Sequence, residues 1–396
     1  MALNSVCPGC DSGGMSVFYQ ARDVPVHDVL LLRSREQAMN YPRGDINLAV
    51  CSNCGFIANV SFDSALLEYD SEYEATQAYS PTFNAFHRQL AERLIDRYDL
   101  HDKDILEIGC GQGEFLILLC ELGGNRGIGF DPAYVDGRLE SDASDRITFV
   151  KDFYSEKYTH LNADLVCCKM TLEHIPDTAR FVSTIRRAIG PNSDTAVFFQ
   201  VPNVTRILRD LAFWDIYYEH CSYFDLGSLS YLLQKCGFEV LDTTEAYDNQ
   251  YALVEARPSM NSSQPRFSQD HELLERSKRD AAFFSENYRR KLEEWDSRIG
   301  AIELNGQRAV IWGSGSKAVA FLTTLKIQHQ IEFVVDINPH RHGTYLAGTE
   351  LKIVPPDFLR EYQPDVVIVM NPIYRDEIQR ELNRIGLGRS SVIPVN

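Results

Sequence analysis

Four of the ten cysteines fall into two C-x-x-C pairs, Cys7-Pro8-Gly9-Cys10 and Cys51-Ser52-Asn53-Cys54, with forty residues between them. Each pair can form a tight turn that aims two thiolates at one point, and two such turns make a tetrahedral four-sulfur site suited to zinc. Four protein ligands leave no open position, so a metal there is structural. Cys110, Cys120, Cys167, Cys168, Cys221 and Cys236 show no such spacing and read as small buried hydrophobes. The densest group of acid–base side chains runs from Trp214 to Phe224 and contains Tyr217, Tyr218, Glu219 and His220. Together they offer a base, a carboxylate to orient it and phenols that donate to an oxyanion. Taken alone, the same segment reads equally well as aromatic residues around a satisfied histidine near a helix end.

Two glycine loops add a second kind of chemistry. Gly109-Cys110-Gly111-Gln112-Gly113 follows the apolar run Ile105–Ile108 and opens a helical pattern at Glu114, so the backbone can turn tightly and approach a ligand there. Glu107 stands two residues before the first glycine. Asp131 ends the next strand pattern, where a carboxylate can accept two ribose hydroxyls, and Asp152-Phe153 follow a third strand pattern, in position for an adenine edge and face. The other loop, Gly313-Ser314-Gly315-Ser316-Lys317, follows Val310-Ile311-Trp312, with Asp336 closing the next strand pattern 23 residues after Gly313. By spacing this is a dinucleotide fingerprint and invites a nicotinamide-dependent reductase reading. Its hydroxyls and lysine, in place of a third glycine, suit a diphosphate at a helix N-terminus.

The elements that must position these groups follow from the alternation of apolar runs. From Asp104 to Arg257, and again from Ala309 onward, strand-like runs alternate with helical ones, which predicts α/β units built on parallel sheets. A tyrosine-rich stretch (Tyr69, Tyr73, Tyr79) and a helix with Phe86, Leu90, Leu94 and Ile95 on one face precede the first unit. A polar breaker from Arg257 to Pro265 and a charged helical stretch from about Asp270 to Ile302 separate the two. The expected division is a zinc-binding module over 1–68, a first α/β domain over 69–258, a helical connector over 259–305 and a Rossmann-like domain over 306–396. A length of 396 residues accommodates two or three cores. The net charge of −17 argues against a nucleic-acid partner. Met1 to Ser5 lack the features of a secretory signal, and no apolar run approaches a membrane span, so the expected compartment is the cytoplasm.

The first loop with its acidic partners, together with Leu172-Glu173-His174-Ile175-Pro176-Asp177 after the fourth strand, resembles the class I S-adenosylmethionine-dependent methyltransferase pattern. On that resemblance Glu107, Gly109, Gly111, Gly113, Asp131, Asp152 and Phe153 bind the methyl donor. The whole order of motifs, two C-x-x-C pairs, then this domain carrying Tyr-x-Glu-His, then a Rossmann-like domain, resembles the sugar C-methyltransferases that act on nucleotide-linked keto-deoxysugars. The resemblance implies a deprotonation beside a ketone followed by methylation of the enolate. It makes His220 the base, Glu219 its assistant, Tyr217 a hydrogen-bonding partner of the sugar and His174 a second active-site histidine, with Tyr73 or Tyr79 also reaching the sugar. It gives the C-terminal domain the nucleotide of the substrate, with Ser314, Ser316 and Lys317 at the diphosphate and Asp336 and Asn338 at the nucleoside; Asn371 also falls near a strand's C-terminal end, where ligands of α/β folds bind. The segments Met370-Asn371-Pro372 and Asp248-Asn249-Gln250-Tyr251 differ from the pattern of the sugar enzymes. A hydroxyl, amine or non-sugar acceptor on the same architecture, and a non-catalytic zinc-containing binding protein, are the competing readings.

Overall fold

The computed structural model describes residues 2–3, 6–192, 194–260, 271–327 and 329–396. Strands β1 (Ala2–Leu3), β2 (Met15–Pro25), β3 (Arg43–Cys51) and β4 (Ile57–Asn59) form an antiparallel sheet, and the C-x-x-C turns lie next to β2 and at the end of β3. The chain then enters a helix, Pro81–Tyr98. Ser80 caps it by accepting the Phe83 N–H, Pro81 opens it, and Phe83, Leu90, Leu94 and Ile95 turn inward.

The next strands, β5 (Asp104–Ile108), β6 (Arg126–Phe130), β7 (Ile147–Val150), β8 (Leu165–Lys169) and β9 (Ala196–Pro202), are all parallel. After them, β10 (Ser222–Tyr223) leaves this layer and pairs antiparallel with β4 of the N-terminal sheet. Strands β11 (Phe238–Ala246) and β12 (Tyr251–Pro258) return as an antiparallel pair and complete a seven-stranded sheet in the order β11-β12-β9-β8-β5-β6-β7. Its central strands are buried on both faces, with Leu106, Ile108, Val166 and Phe199 toward one side and Ile105, Leu165, Cys167 and Phe198 toward the other, where the helix Glu114–Gly123 packs with Phe115, Leu116 and Leu119.

A second parallel sheet, in the order β15-β14-β13-β16-β17, is built from β13 (Ala309–Trp312), β14 (Phe333–Val335), β15 (Lys352–Val354), β16 (Val366–Val369) and β17 (Ser391–Pro394). The helix His271–Leu304 packs on the N-terminal sheet and against a helix of each α/β unit. Phe284 packs edge-on to Tyr19 at 5.5 Å, Trp295 edge-on to Phe321 at 5.1 Å, and Arg209 of the central unit pairs with Asp280 at 3.0 Å. The polar breaker read from the sequence extends into 261–270, outside the described residues. Of the six cysteines read as hydrophobes, five are buried and Cys236 is half-buried, all as free thiols. Among the described residues no helix is long and apolar enough to cross a membrane.

Candidate active site

Cys7, Cys10, Cys51 and Cys54 converge, with their four sulfurs within 4.8 Å of one another. The Cys7–Cys54 and Cys10–Cys51 Sγ separations are 3.7 and 3.6 Å. A tetrahedron with ~2.3 Å metal–sulfur bonds has edges of about 3.8 Å, so the spacing fits a zinc ion and not a pair of disulfides.

The first glycine loop connects β5 to the helix Glu114–Gly123. Gly109, Gly111 and Gly113 all take positive φ, and a Cβ on Gly109 would stand 1.9 Å from Thr171 Oγ1. Asp131, at the end of β6, accepts the Gly111 and Ala133 N–H groups at 2.8 Å each. Burial nevertheless pushes its carboxyl up to about 6. Glu107 is 2 % exposed and its Oε2 has no partner. Burial pushes its carboxyl up to about 7 against the opposing pull of Lys169. Asp152 is half-buried, and hydrogen bonds from Tyr158 and Lys157 hold it below the usual carboxylate range, while Phe153 turns its ring outward, 61 % exposed. These residues, Gly113 excepted, line one cavity of about 840 Å³. An unpaired buried carboxylate oxygen, an acidic strand end and a loop without side chains suit the ammonium, ribose and backbone-approach demands of S-adenosylmethionine.

Further along the same cavity lie His174, Tyr217, Glu219 and His220. His220 stacks obliquely on Tyr217 at 4.3 Å and edge-on to His174 at 4.8 Å. Burial, then His174 and Lys317, lower its pKa well below the ordinary value, so the imidazole is neutral. Burial likewise lowers His174, whose Nδ1 sits 3.1 Å from the Tyr69 hydroxyl. Glu219 is placed differently from a partner of His220. Its Oε1 accepts from the Asp28 N–H at 2.8 Å and pairs with His27 Nδ1 at 3.0 Å, and its Oε2 accepts from the Tyr73 hydroxyl at 2.7 Å. Tyr73 is thereby brought to the acid–base group, whereas Tyr79 stays at the cavity margin, 39 % exposed.

At the other end, Gly313-Ser314-Gly315 leads from β13 into the helix Ser316–Leu325. Ser314 is fully buried, and both its N–H and its hydroxyl donate to Asp336 Oδ2, at 2.9 and 2.5 Å. Asn338 donates to Glu74 Oε1 at 3.0 Å and accepts the His340 N–H at 2.9 Å. Lys317 is not a solvated cation: burial lowers its pKa, and its ammonium pairs with Asp215, which also accepts from Arg206 at 3.0 Å. The triad carries one net positive charge, and all three residues line the cavity. Asn371 exchanges two amide hydrogen bonds with Gln250, at 2.9 and 3.1 Å, so the two segments that depart from the sugar-enzyme pattern meet on one wall.

Several lining or supporting residues escaped the sequence reading. His27 and Asp28 interrupt the apolar stretch Val24 to Leu32, a signal of buried polar work that was available. Arg341 donates to the Ser314 carbonyl at 2.7 Å and also to the carbonyl of Glu74, and Arg138 pairs with the Glu74 carboxylate at 2.6 Å. Lys169, at the end of β8, approaches His87 Nε2 at 3.2 Å and lies 4.0 Å over the Phe115 ring. Burial, with Lys169 second, pushes His87 down to about 2.

A methyltransferase domain model matches residues 83–243, and a C-methyltransferase C-terminal domain model matches residues 269–395. The chain is 27 % identical over 328 residues to C-methyltransferase NovU of Streptomyces niveus, covering 78 % of this chain and 76 % of that one. It is 26 % identical over 123 residues to the ubiquinone biosynthesis O-methyltransferase of Saccharophagus degradans, 28 % of this chain and 49 % of the relative. Among solved structures, the N,N-8-amino-8-demethyl-D-riboflavin dimethyltransferase RosA of Streptomyces davawensis aligns with a TM-score of 0.36 at 18 % identity, over 45 % of this chain and 56 % of that one. The second glycine loop thus lies in a stretch that matches a C-methyltransferase C-terminal domain. With a donor-type loop in a domain of the matching kind, the chain is an S-adenosylmethionine-dependent methyltransferase whose C-terminal stretch matches a C-methyltransferase domain.

Proposed function

We propose that the chain methylates the carbon beside a ketone in a nucleotide-linked keto sugar. The observation that carries this is the single cavity lined by both glycine loops and by His174, Tyr217 and His220. S-adenosylmethionine, held by Glu107, Asp131 and the Gly109–Gly113 loop with Asp152 and Phe153 at the adenine, supplies a methyl group on a sulfonium centre when bound. Neutral His220 takes the proton, the C–H electrons move toward the ketone oxygen, and the Tyr217 hydroxyl donates to that oxygen as its charge develops. The carbon so activated accepts the methyl group. Tyr73 and Glu219 hold the sugar side of the cavity, with His174 beside them.

Ser316 and the loop amides of Gly315 and Ser316 receive the diphosphate, assisted by the net positive charge of Lys317 and Arg206 around Asp215. Ser314, Asp336, Asn338 and Asn371 shape the nucleoside end. By role the chain divides into a zinc module (1–68), the donor domain (69–258), a connector (259–305) and the nucleotide domain (306–396), with Cys7, Cys10, Cys51 and Cys54 as zinc ligands. A second reading, methylation of a hydroxyl or amine, is favoured by the Gln250–Asn371 pair, which gives the cavity wall an amide surface where the sugar enzymes differ.

The two readings separate in D₂O. Incubated without methyl donor, the wild-type protein is expected to exchange the hydrogen beside the ketone of at least one keto-sugar nucleotide in a panel. His220→Ala is expected to lose that exchange by about 10²–10⁴-fold while retaining S-adenosylhomocysteine binding. No exchange across the panel, with labelled methyl found on oxygen or nitrogen, would sink the carbon-acid reading.

A further inference from the structure

Two carboxyl groups stand near His220, and the structure separates their tasks. Glu219, its neighbour in the chain, has both oxygens committed to His27, Asp28 and Tyr73. Glu173, on the short turn Leu172–His174 that follows β8, is 1 % exposed, and neither of its carboxylate oxygens has a hydrogen-bond partner. A carboxylate oxygen of Glu173, one ring nitrogen of His174 and one of His220 lie within 4.8 Å of one another. His220 Nδ1 is also buried without a partner, while the Nδ1 of His174 is met by Tyr69. A carboxylate and an imidazole nitrogen, both buried and without a partner, thus stand in one cluster on the cavity wall, and buried polar groups of this kind call for a partner.

We propose that Glu173 is the positioning residue of His220, joined to its Nδ1 and thereby setting which ring nitrogen carries the hydrogen. The inference rests on the reading of His220 as the base. With Glu173 protonated, the carboxyl donates to Nδ1, and Nε2 keeps its hydrogen and cannot act as a base. With Glu173 ionised, Nδ1–H donates to the carboxylate, and Nε2 holds a free lone pair for the substrate proton. Burial pushes Glu173 up to about 8, which places the change of state in an accessible range. The other titratable groups around the pair include His174 with Tyr69, Glu219 and His27 beside it, Tyr217 and Tyr223 at 4.3 and 6.0 Å from the His220 ring, Cys168 and Tyr251 of the central sheet, Cys221, whose thiol donates to the Glu173 carbonyl at 3.3 Å, and Lys317 from the C-terminal unit.

Long-range ¹H–¹⁵N correlation of the full chain, labelled in histidine and followed from about pH 6 to about pH 10, reads the tautomer directly, with His220 assigned by its loss in His220→Gln. The expected result is a single step near the value for Glu173 at which His220 passes from the Nε2–H to the Nδ1–H form. Glu173→Gln is expected to abolish the step, and Glu219→Gln to retain it. A wild-type His220 that holds one tautomer throughout overturns the proposal whatever the variants do. So does a step that survives in Glu173→Gln or disappears only in Glu219→Gln. The measurement needs no acceptor, so failure of the base reading shows separately, as absence of hydrogen exchange with the keto-sugar panel.

Discussion

At the scale of single residues, the cavity holds ionisable groups whose charges have been suppressed by burial and not by pairing. Glu173 is the clearest case, because a carboxyl with a folded value near 8 favours folding in its protonated form. Its contribution is fully present below the ordinary carboxyl pKa and is lost as pH rises through about 8. Glutamine copies the protonated shape without the charge. Glu173→Gln is therefore expected to match the wild-type melting temperature near pH 5 and to exceed it near pH 9, at roughly 1.4 kcal/mol per pH unit of the interval between ordinary and folded values. Calorimetric scans at both pH values test this, and a variant equally destabilised at both would show the carboxyl making a contact that glutamine cannot replace. The residue scale is also where the sequence was least informative. Spacing named His220 and Glu219 as a pair, yet the partner of Glu219 is His27, 192 positions away, and no local pattern reports such a meeting.

At the scale of elements, the strand and loop pattern was readable because two signals agree there. Apolar runs of strand length marked β5, β6, β8, β9, β13 and β16, and glycines at tight turns marked where two of them end. Gly109 shows why only glycine serves. Its φ of 68° lies in the left-handed region, and an added methyl would collide with Thr171 and shift the turn that carries Met170, itself at φ 50°. Gly109→Ala is expected to weaken S-adenosylhomocysteine binding at least about tenfold and to lower the melting temperature, both measurable by calorimetry. Unchanged affinity would show that the loop tolerates the shift. Strand β10 was not readable: two residues following a dense aromatic segment carry no period, and their partner lies in another sheet.

At the scale of the whole molecule, the three sheets interlock more than the motif order suggests. Glu377 of the C-terminal unit accepts from Ser80 Oγ at 2.8 Å and from the Thr82 N–H at 3.1 Å, supplying an acid to the start of the helix Pro81–Tyr98. Tyr247 of the central sheet donates to the Tyr374 hydroxyl at 2.8 Å, and Tyr374 donates in turn to Gln77 at the same distance. Such contacts join positions far apart in sequence, which is why apolar periodicity gave the layers but not their seams. Replacing one thiolate tests the N-terminal seam. Cys51→Ser is expected to lower zinc content from one equivalent toward none and to destabilise the protein, because a structural metal site is formed only on folding. Unchanged zinc by elemental analysis would remove the four-sulfur site.

The pairing of β10 with β4 has a thermodynamic consequence. His220 and Cys221 lead directly into β10, β4 follows Cys54 closely, and the Asn59 N–H donates to the Cys221 carbonyl at 2.9 Å. Whatever orders the thiolate turns therefore also orders the segment that holds the histidine, and linkage makes the coupling reciprocal. A ligand that tightens the His220 segment would raise the affinity of the cysteine cluster for a metal by the same factor with which that metal raises the affinity for the ligand.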